Sequence, residues 1–261
     1  MSTAANALRF AWSSRRAWWF TATARTRDRF ARTTLGSFWL GLSNLLSVAV
    51  LAVVYGTVFK VQDFNSYVVY LGTGLVTWNT MAAAVQSAPN LFRSNAGNLK
   101  NTNIHPIFYS LEEWSFQAQS LFQSFGLVLL VLTIFQPSLL INLLTAGILP
   151  LINLLLFIYW FPLLLCLLGA HFEDLFQLIP IVLQLMFLLT PILYEKKALG
   201  ELSWTADFNP LYAVLSNLRH ALISGEPEAS RSLLILALNT LGVLASITVL
   251  EKQRKQLPFL V

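Results

Sequence analysis

Charge is what this sequence has least of. Asp, Glu, Lys and Arg supply 11% of its 261 residues, against about 25% in soluble domains. Hydrophobic residues supply 56%, and the mean hydropathy is +0.63. The deficit excludes an ordinary water-soluble domain and fits a bilayer, which accepts helices that are apolar all round. Cysteine is almost missing. Cys166 stands alone in an apolar run, so no intrachain disulfide staples an exported fold, and it reads as a packing residue.

Six runs come close to or exceed the roughly 20 residues that cross a hydrocarbon core as helix. They lie at 36–59, 66–88, 115–135, 139–168, 175–194 and 231–250. The fourth contains Pro150 and Pro162 and is too long for one straight crossing yet too short for two, so a tilted or kinked helix is expected. Apart from Arg231 at the boundary of the last run, no Lys, Arg, His, Asp or Glu falls inside them. Proton-coupled carriers and membrane-embedded hydrolases need ionisable groups at depth, and these spans offer none.

The G-x-x-x-x-G-K-S/T phosphate loop is also missing, so the chain has no visible means of hydrolysing nucleotide. It is not expected to be an enzyme. Energy for uphill transport would have to enter through a partner. The cluster His171, Glu173, Asp174 has too few residues in too short a stretch for a metal site and reads as a solvated helix cap. No metal is expected.

The charge that is present is placed asymmetrically. Residues 1–35 hold Arg9, Arg15, Arg16, Arg25, Arg27, Arg29 and Arg32; the 89–114 loop adds Arg93 and Lys100; the 251–261 tail adds Lys252, Arg254 and Lys255. The other side has Lys60, Lys196, Lys197, Arg219 and Arg231, while the acids divide evenly. The positive-inside rule then puts both termini in the cytoplasm and the chain, multi-pass, in the cytoplasmic (inner) membrane. Within 1–35, Trp12, Trp18, Trp19 and Phe20 alternate with the arginines, the pattern of an amphipathic helix along the interface, among membrane lipids. A cleaved organellar transit peptide is the rival reading. Nucleic acid is not expected, because the run adjoins a span.

Between the second and third spans, the 89–114 loop is the best docking surface for a partner. Pro106 breaks it into short pieces, and Glu112 with Glu113 offers a capped start to the third span. On the outer side, Leu211, Val214, Leu215, Leu218 and Leu222 follow helical spacing over 211–224 and place Asn217, Arg219 and His220 largely elsewhere. With Asn209-Pro210 as a break, residues 195–230 read as an outer-leaflet re-entrant helical hairpin between helices 5 and 6, or alternatively as a lid lying flat. The fold class expected is therefore all-α integral membrane, with six transmembrane helices.

Several motifs in order along residues 25–250 resemble the membrane subunits of ABC-type polysaccharide exporters, the family of O-antigen, capsule and teichoic acid export. Arg27-Asp28, Leu35-Gly36 and Trp39 are similar to the approach to its first span, Tyr55-Gly56 and Phe59 to its end, and Gly74 and Trp78 to its second span. Asn98-Leu99 with His105-Pro106 resembles its coupling loop, Glu173-Asp174 the next cytoplasmic turn, and TPILYE with FNPLYAVLSNLRHALISGEP the outer hairpin. Two departures stand out: Ile104-His105-Pro106 where the family often has a basic residue and Phe-Pro, and Glu173-Asp174 where it often has Arg-Asp.

The resemblance implies a homodimeric permease that exports a lipid-linked glycan through a channel at the dimer interface. A separate ATPase subunit would bind ATP and Mg, so this chain holds no cofactor. Coupling to it would fall on Arg27, Asp28, Asn98, Lys100, His105, Pro106, Glu173 and Asp174, with Arg27 and Asp28 at the hinge before the first span. A glycan path needs aromatic faces and neutral polar groups, for which Trp39, Tyr55, Tyr67, Tyr70, Trp78, Tyr159 and Trp160 are candidates beside Asn44, Thr77, Asn79 and Asn153. Pro191, Tyr194, Asn209, Pro210 and Arg219 would form the outer gate. A drug or lipid exporter, or a nucleotide-independent scramblase or scaffold, are the alternatives.

Overall fold

A computed structural model describes residues 3–102 and 104–260; Met1, Ser2, Asn103 and Val261 lie outside the described residues. Among the described residues the chain is helical, with no strand. The α-helices are α1 (Thr3–Ser13), α2 (Arg15–Phe30), α3 (Phe38–Val58), α4 (Phe64–Ser87), α5 (Leu91–Ser94), α6 (Ala96–Asn101), α7 (Ile107–Leu132), α8 (Leu139–Asn142), α9 (Ile148–Gly169), α10 (Leu175–Leu189), α11 (Ser203–Asp207), α12 (Pro210–Ser224), α13 (Ala229–Gln253) and α14 (Leu257–Leu260). Among the described residues five helical stretches are long and apolar enough to cross a membrane: Phe38–Val58, Phe64–Ser94, Ile107–Leu132, Leu139–Gly169 and Ala229–Gln253. This is a multi-pass membrane protein.

The run expected at 175–194 is a shorter apolar helix of 15 residues, α10, about 22 Å long at 1.5 Å per residue. Its end is local chemistry: Thr190 precedes Pro191 and takes an extended ψ of 129°, because the proline ring disfavours helical backbone in the residue before it. The run expected at 115–135 begins earlier, at Ile107, right after Pro106. Glu112 and Glu113 therefore stand inside α7 instead of capping it. In the long fourth run the irregularity is a π-helical turn, Leu143–Gly147, that joins α8 to α9. It lies just before Pro150, which has no N–H for the carbonyl of Ala146.

α4 is the centre of the bundle, packed by α3, α7, α9 and α12. Its Leu71, Leu75 and Met81 meet Leu121, Leu132, Leu154, Phe157 and Leu215 in the main apolar cluster. A second cluster gathers Phe92, Leu99, Ile107, Leu163, Leu167, Leu250 and Leu257 at the end that carries the tail. α13 packs most extensively on α9, and polar side chains tie that seam. Asn153 donates to the Ser232 carbonyl (2.9 Å), Asn239 to the Asn153 carbonyl (3.0 Å), and the Trp160 indole to Asn239 (2.9 Å). Such bonds hold helices together in lipid, where apolar contact alone gives no preference for protein over acyl chains.

The N-terminal segment is two helices, not one. Ser14 interrupts it, its hydroxyl bonding back to the Phe10 carbonyl at 2.7 Å. α1 leans on α13 and α7, and α2 lies along α7. Trp12, Trp19 and Phe20 are exposed, but Trp18 turns inward against Trp114 with ring centroids 6.1 Å apart. The bend toward α3 lies beyond Arg27 and Asp28, which remain in the last turn of α2. Gly36 makes it, at φ 55°, a conformation a β-carbon disfavours.

Candidate functional site

At the tail-bearing end, α2 is clamped to α7 by charge. Arg25 reaches Glu113 at 2.6 Å and Glu112 at 3.4 Å, and its guanidinium lies 4.2 Å from the Phe116 ring centroid. Gln117 donates to Glu113 at 2.8 Å, and Gln119 to Thr23 at 3.1 Å. Glu113 is only 7% exposed, so Arg25 supplies the charge a buried carboxylate needs. No local pattern marks this pair, because the partners are 88 residues apart.

Beneath the clamp a cavity of about 450 Å³ opens between α2, α3, α4 and α7. Its lining mixes neutral polar side chains (Ser43, Asn44, Asn79, Gln117, Ser120 and Ser124) with apolar ones (Leu40, Ala83, Phe116 and Leu121) and with Arg25, Arg29 and Glu113. Asn79 donates to Asn44 at 2.7 Å.

The expected coupling residues divide between surface and interior. Asn98 and Lys100 are exposed on α6 while Leu99 between them is buried, so an apolar anchor presents a polar tip. Glu173 pairs with Arg93, whose guanidinium also lies over Phe176 at 5.1 Å; this contact joins the 89–106 segment to the turn before α10. Asp174 is exposed, as are Arg27 and Asp28. His171, expected in a solvated cap, is exposed and its Nδ1 meets the Leu167 carbonyl at 2.9 Å.

His105 and Pro106 are buried. The His105 ring stacks on Phe10 with centroids 5.3 Å apart, its Nδ1 accepts from the Ile107 N–H at 3.2 Å, and its Nε2 lies 2.8 Å from Glu251. It is a rivet between α1, α7 and α13. Burial first, and then the Arg254 cation, push its pKa from 6.5 down to about 4. The folded ring stays neutral where the unfolded one takes a proton, so the stability it contributes is complete above about pH 6.5 and is lost as pH falls toward 4. Melting temperature should therefore drop between about pH 6.5 and 4, and the drop should shrink in His105→Gln. Equal pH profiles for the two proteins would show that His105 is not the titrating group.

At the opposite end, tyrosines converge on the extended segment that follows α10. Tyr67 donates to the Leu193 carbonyl (2.8 Å), Tyr70 to those of Tyr194 (2.9 Å) and Pro191 (3.2 Å), and Tyr194 to that of Leu188. They border a cavity of about 600 Å³ with Asp63, Ser66 and Glu195. Ser66 donates to Asp63 through its N–H (3.1 Å) and its hydroxyl (2.6 Å), which holds that carboxyl below its usual range.

Arg219 completes this end. It is 5% exposed, donates to the Pro191 carbonyl at 2.7 Å and lies 3.9 Å from the Tyr70 ring centroid. Its Nη1 has no hydrogen-bond partner among the described residues. Asn217, at 2%, is buried too. Both were expected off the apolar face of α12, but that helix is enclosed by α4, α8, α9 and α13, so its polar side is interior as well. Asn209 caps α12 from the Leu211 (3.0 Å) and Tyr212 (3.3 Å) N–H groups and donates to Thr190 at 2.8 Å, which fastens Pro210 and the helix to the end of α10.

The other aromatic path candidates are mostly packing groups. Trp78 is buried against Phe187, Tyr159 against Trp114, and Trp160 is held by Asn239. Tyr55 lies against Phe59, and Trp39 is exposed on the outer face of α3. Asn153 belongs to the α9–α13 seam, and Thr77 bonds back to Thr73.

A family model described as ABC-2 type transporter matches residues 20–223, which span both cavities and helices α2 to α12. Two relatives, each an O-antigen export system permease protein RfbA of Klebsiella pneumoniae, are 24% identical to this chain over 198 and 200 residues, covering 76% of it and 76% of each relative. The match takes in more than half of the chain, which belongs to the ABC-2 type transporter family and is a permease component of such a transporter.

Proposed function

We propose that this chain is the membrane subunit of an ATP-driven exporter that carries a lipid-linked polysaccharide across the cytoplasmic membrane. The observation that carries the reading is the likeness to two O-antigen export permeases over 76% of the chain. The subunit works as a homodimer, with ATP and Mg bound by a separate nucleotide-binding subunit. Apolar residues such as Val50, Val54, Val58, Ile181, Leu185 and Leu238 are exposed on α3, α10 and α13, which supports faces covered by lipid or a second copy. α10 serves as the fifth of six crossings, completed by the extended run after Thr190. The enclosure of α12 favours a re-entrant hairpin over a lid lying flat.

Both termini face the cytoplasm, where Arg9, Arg15, Arg16 and Arg32 meet anionic lipid headgroups. The ATPase subunit docks on the exposed surface of Asn98, Lys100, Arg27, Asp28, Glu173 and Asp174, and the Arg25 clamp passes its movement to α7. His105 and Pro106 hold that surface in place from within. Neutral polar groups in one cavity and tyrosines in the other suit a glycan, which needs hydroxyl partners and flat apolar faces.

Purification should bring down a soluble subunit with a phosphate-binding loop. Its absence, together with lipid movement that needs no nucleotide, would point to a scramblase instead. Asn98→Ala with Lys100→Glu changes exposed side chains and should leave stability within about 0.5 kcal/mol. Chain-stimulated ATP hydrolysis should fall about tenfold, a loss of about 1.4 kcal/mol of coupling. Unchanged hydrolysis would remove α6 from the docking surface.

A further inference from the structure

α6 carries the exposed Asn98 and Lys100, yet its six residues are too few to hold a helix by themselves, since nucleation costs more than so few hydrogen bonds return. Something else must hold it. Local bonds finish only its ends: the Asn95 amide donates to the Leu91 carbonyl at 2.9 Å, and the Thr102 hydroxyl to the Asn98 carbonyl at 2.6 Å. Leu99, on its buried side, depends on tertiary packing. Among the described residues, and apart from its chain neighbour α5, α6 packs chiefly on α14.

The tail is shaped to reach that side. After Gln253 the chain turns at once, the Gln256 N–H donating to the Gln253 carbonyl at 2.8 Å and the Phe259 N–H to that of Gln256 at 2.9 Å. Leu250 before the turn and Leu257 after it are both 0% exposed, and both belong to the apolar cluster that holds Leu99, Phe92 and Ile107. α13 and α14 thus form a hook closed on α6. Its shank is fixed separately, because Glu251 lies 2.8 Å from His105 Nε2 and α13 packs most extensively on α9.

A helix tethered only through its loop ends would swing when Asn98 and Lys100 are pushed, whereas one seated on α14 hands the movement to α13 and, through the polar seam, to α9. We propose that the tail is the seat of α6, and that Leu257 is a positioning residue for coupling ATP hydrolysis to transport. The proposal rests on the reading of α6 as part of the ATPase docking surface. The route is separate from the Arg25 clamp, which serves α7.

The test has two arms. Hydrogen exchange of residues 96–101 is followed in the full chain alone in lipid nanodiscs, and maximal chain-stimulated ATP hydrolysis is measured with a saturating amount of the nucleotide-binding subunit that purifies with it. In Leu257→Asp, exchange in α6 should quicken about tenfold while α7 and α13 keep their protection, and maximal hydrolysis should fall about fivefold. Leu257→Met should restore both. Phe259→Ser, at a side chain that is 88% exposed, should change neither. A chain cut after Gln256 removes α14 without burying a charge and should repeat both changes, so it decides the matter if Leu257→Asp fails to fold.

Unchanged exchange in α6 would overturn the seat, as would faster exchange with wild-type maximal hydrolysis, or loss of protection throughout the bundle in the cut chain. Failure of the docking reading looks different: no nucleotide-binding subunit purifies with the unaltered chain, while exchange in α6 still depends on Leu257.

Discussion

Leucine in place of Gly242 should prevent α9 and α13 from closing on each other and sharply reduce the yield of folded protein. A β-carbon at Gly242 would already lie 2.5, 2.7 and 2.9 Å from three atoms of the Trp160 ring, closer than carbons approach. The ring cannot easily retreat. Its indole nitrogen is bonded to Asn239 at 2.9 Å, and Phe157 and Phe161 meet it edge-on at 5.8 and 5.5 Å. Overpacking of this kind typically costs about 1–3 kcal/mol, and parting the helices also strains the Asn239 and Asn153 bonds, worth about 0.6 kcal/mol each in membranes. The measurement is monodisperse yield and melting temperature in detergent. A second substitution, Trp160→Ala, should recover part of the loss by making room. Wild-type stability in Gly242→Leu would mean that the seam is not tight.

Arg219→Met carries the opposite signature: stability preserved or raised, and transport impaired. A buried guanidinium that has, among the described residues, one carbonyl partner, one aromatic face and an unpartnered Nη1 does not recover the free energy of leaving water. Replacing such a charge with an apolar residue of similar length is often neutral or stabilising by about 1–4 kcal/mol. Yet Arg219 is also the latch between α12, the Tyr70 ring on α4 and the Pro191 carbonyl after α10. Without it the outer end should lose its fixed arrangement, and export should fall about tenfold or more, equivalent to about 1.4 kcal/mol. Arg219→Glu should be far worse, since it buries an anion beside a carbonyl oxygen. A destabilised Arg219→Met would show that the guanidinium serves the fold, and wild-type export would show that the latch has no role in transport.

Much of the secondary structure was legible because it answers to local rules. The 36–59 and 66–88 runs appear as α3 and α4 within a few residues, and the leucine spacing over 211–224 appears as α12. Boundaries were missed where one residue outweighs a hydropathy average: Pro191 ends α10 early, and Pro106 lets α7 start before its glutamates. The polar groups were harder. Arg219 and Asn217 look solvated on a helical projection, but four neighbouring helices enclose α12. Of the aromatic residues singled out for a path, Tyr67 and Tyr70 share a cavity with Tyr194 from the expected outer gate, while Trp78, Tyr159 and Trp160 pack against neighbouring helices.

By itself the sequence determined that this chain enters membranes, where its apolar runs lie and that it has no phosphate loop of its own. Each follows from residues close in the chain meeting lipid or water one stretch at a time. Only the tertiary structure decided which charges and rings meet. Arg25 finds Glu113 across 88 residues, and Tyr67 finds the Leu193 carbonyl across 126. Such pairings depend on how whole helices pack, and in lipid that choice rests on close fit and scarce hydrogen bonds, which hydropathy does not encode.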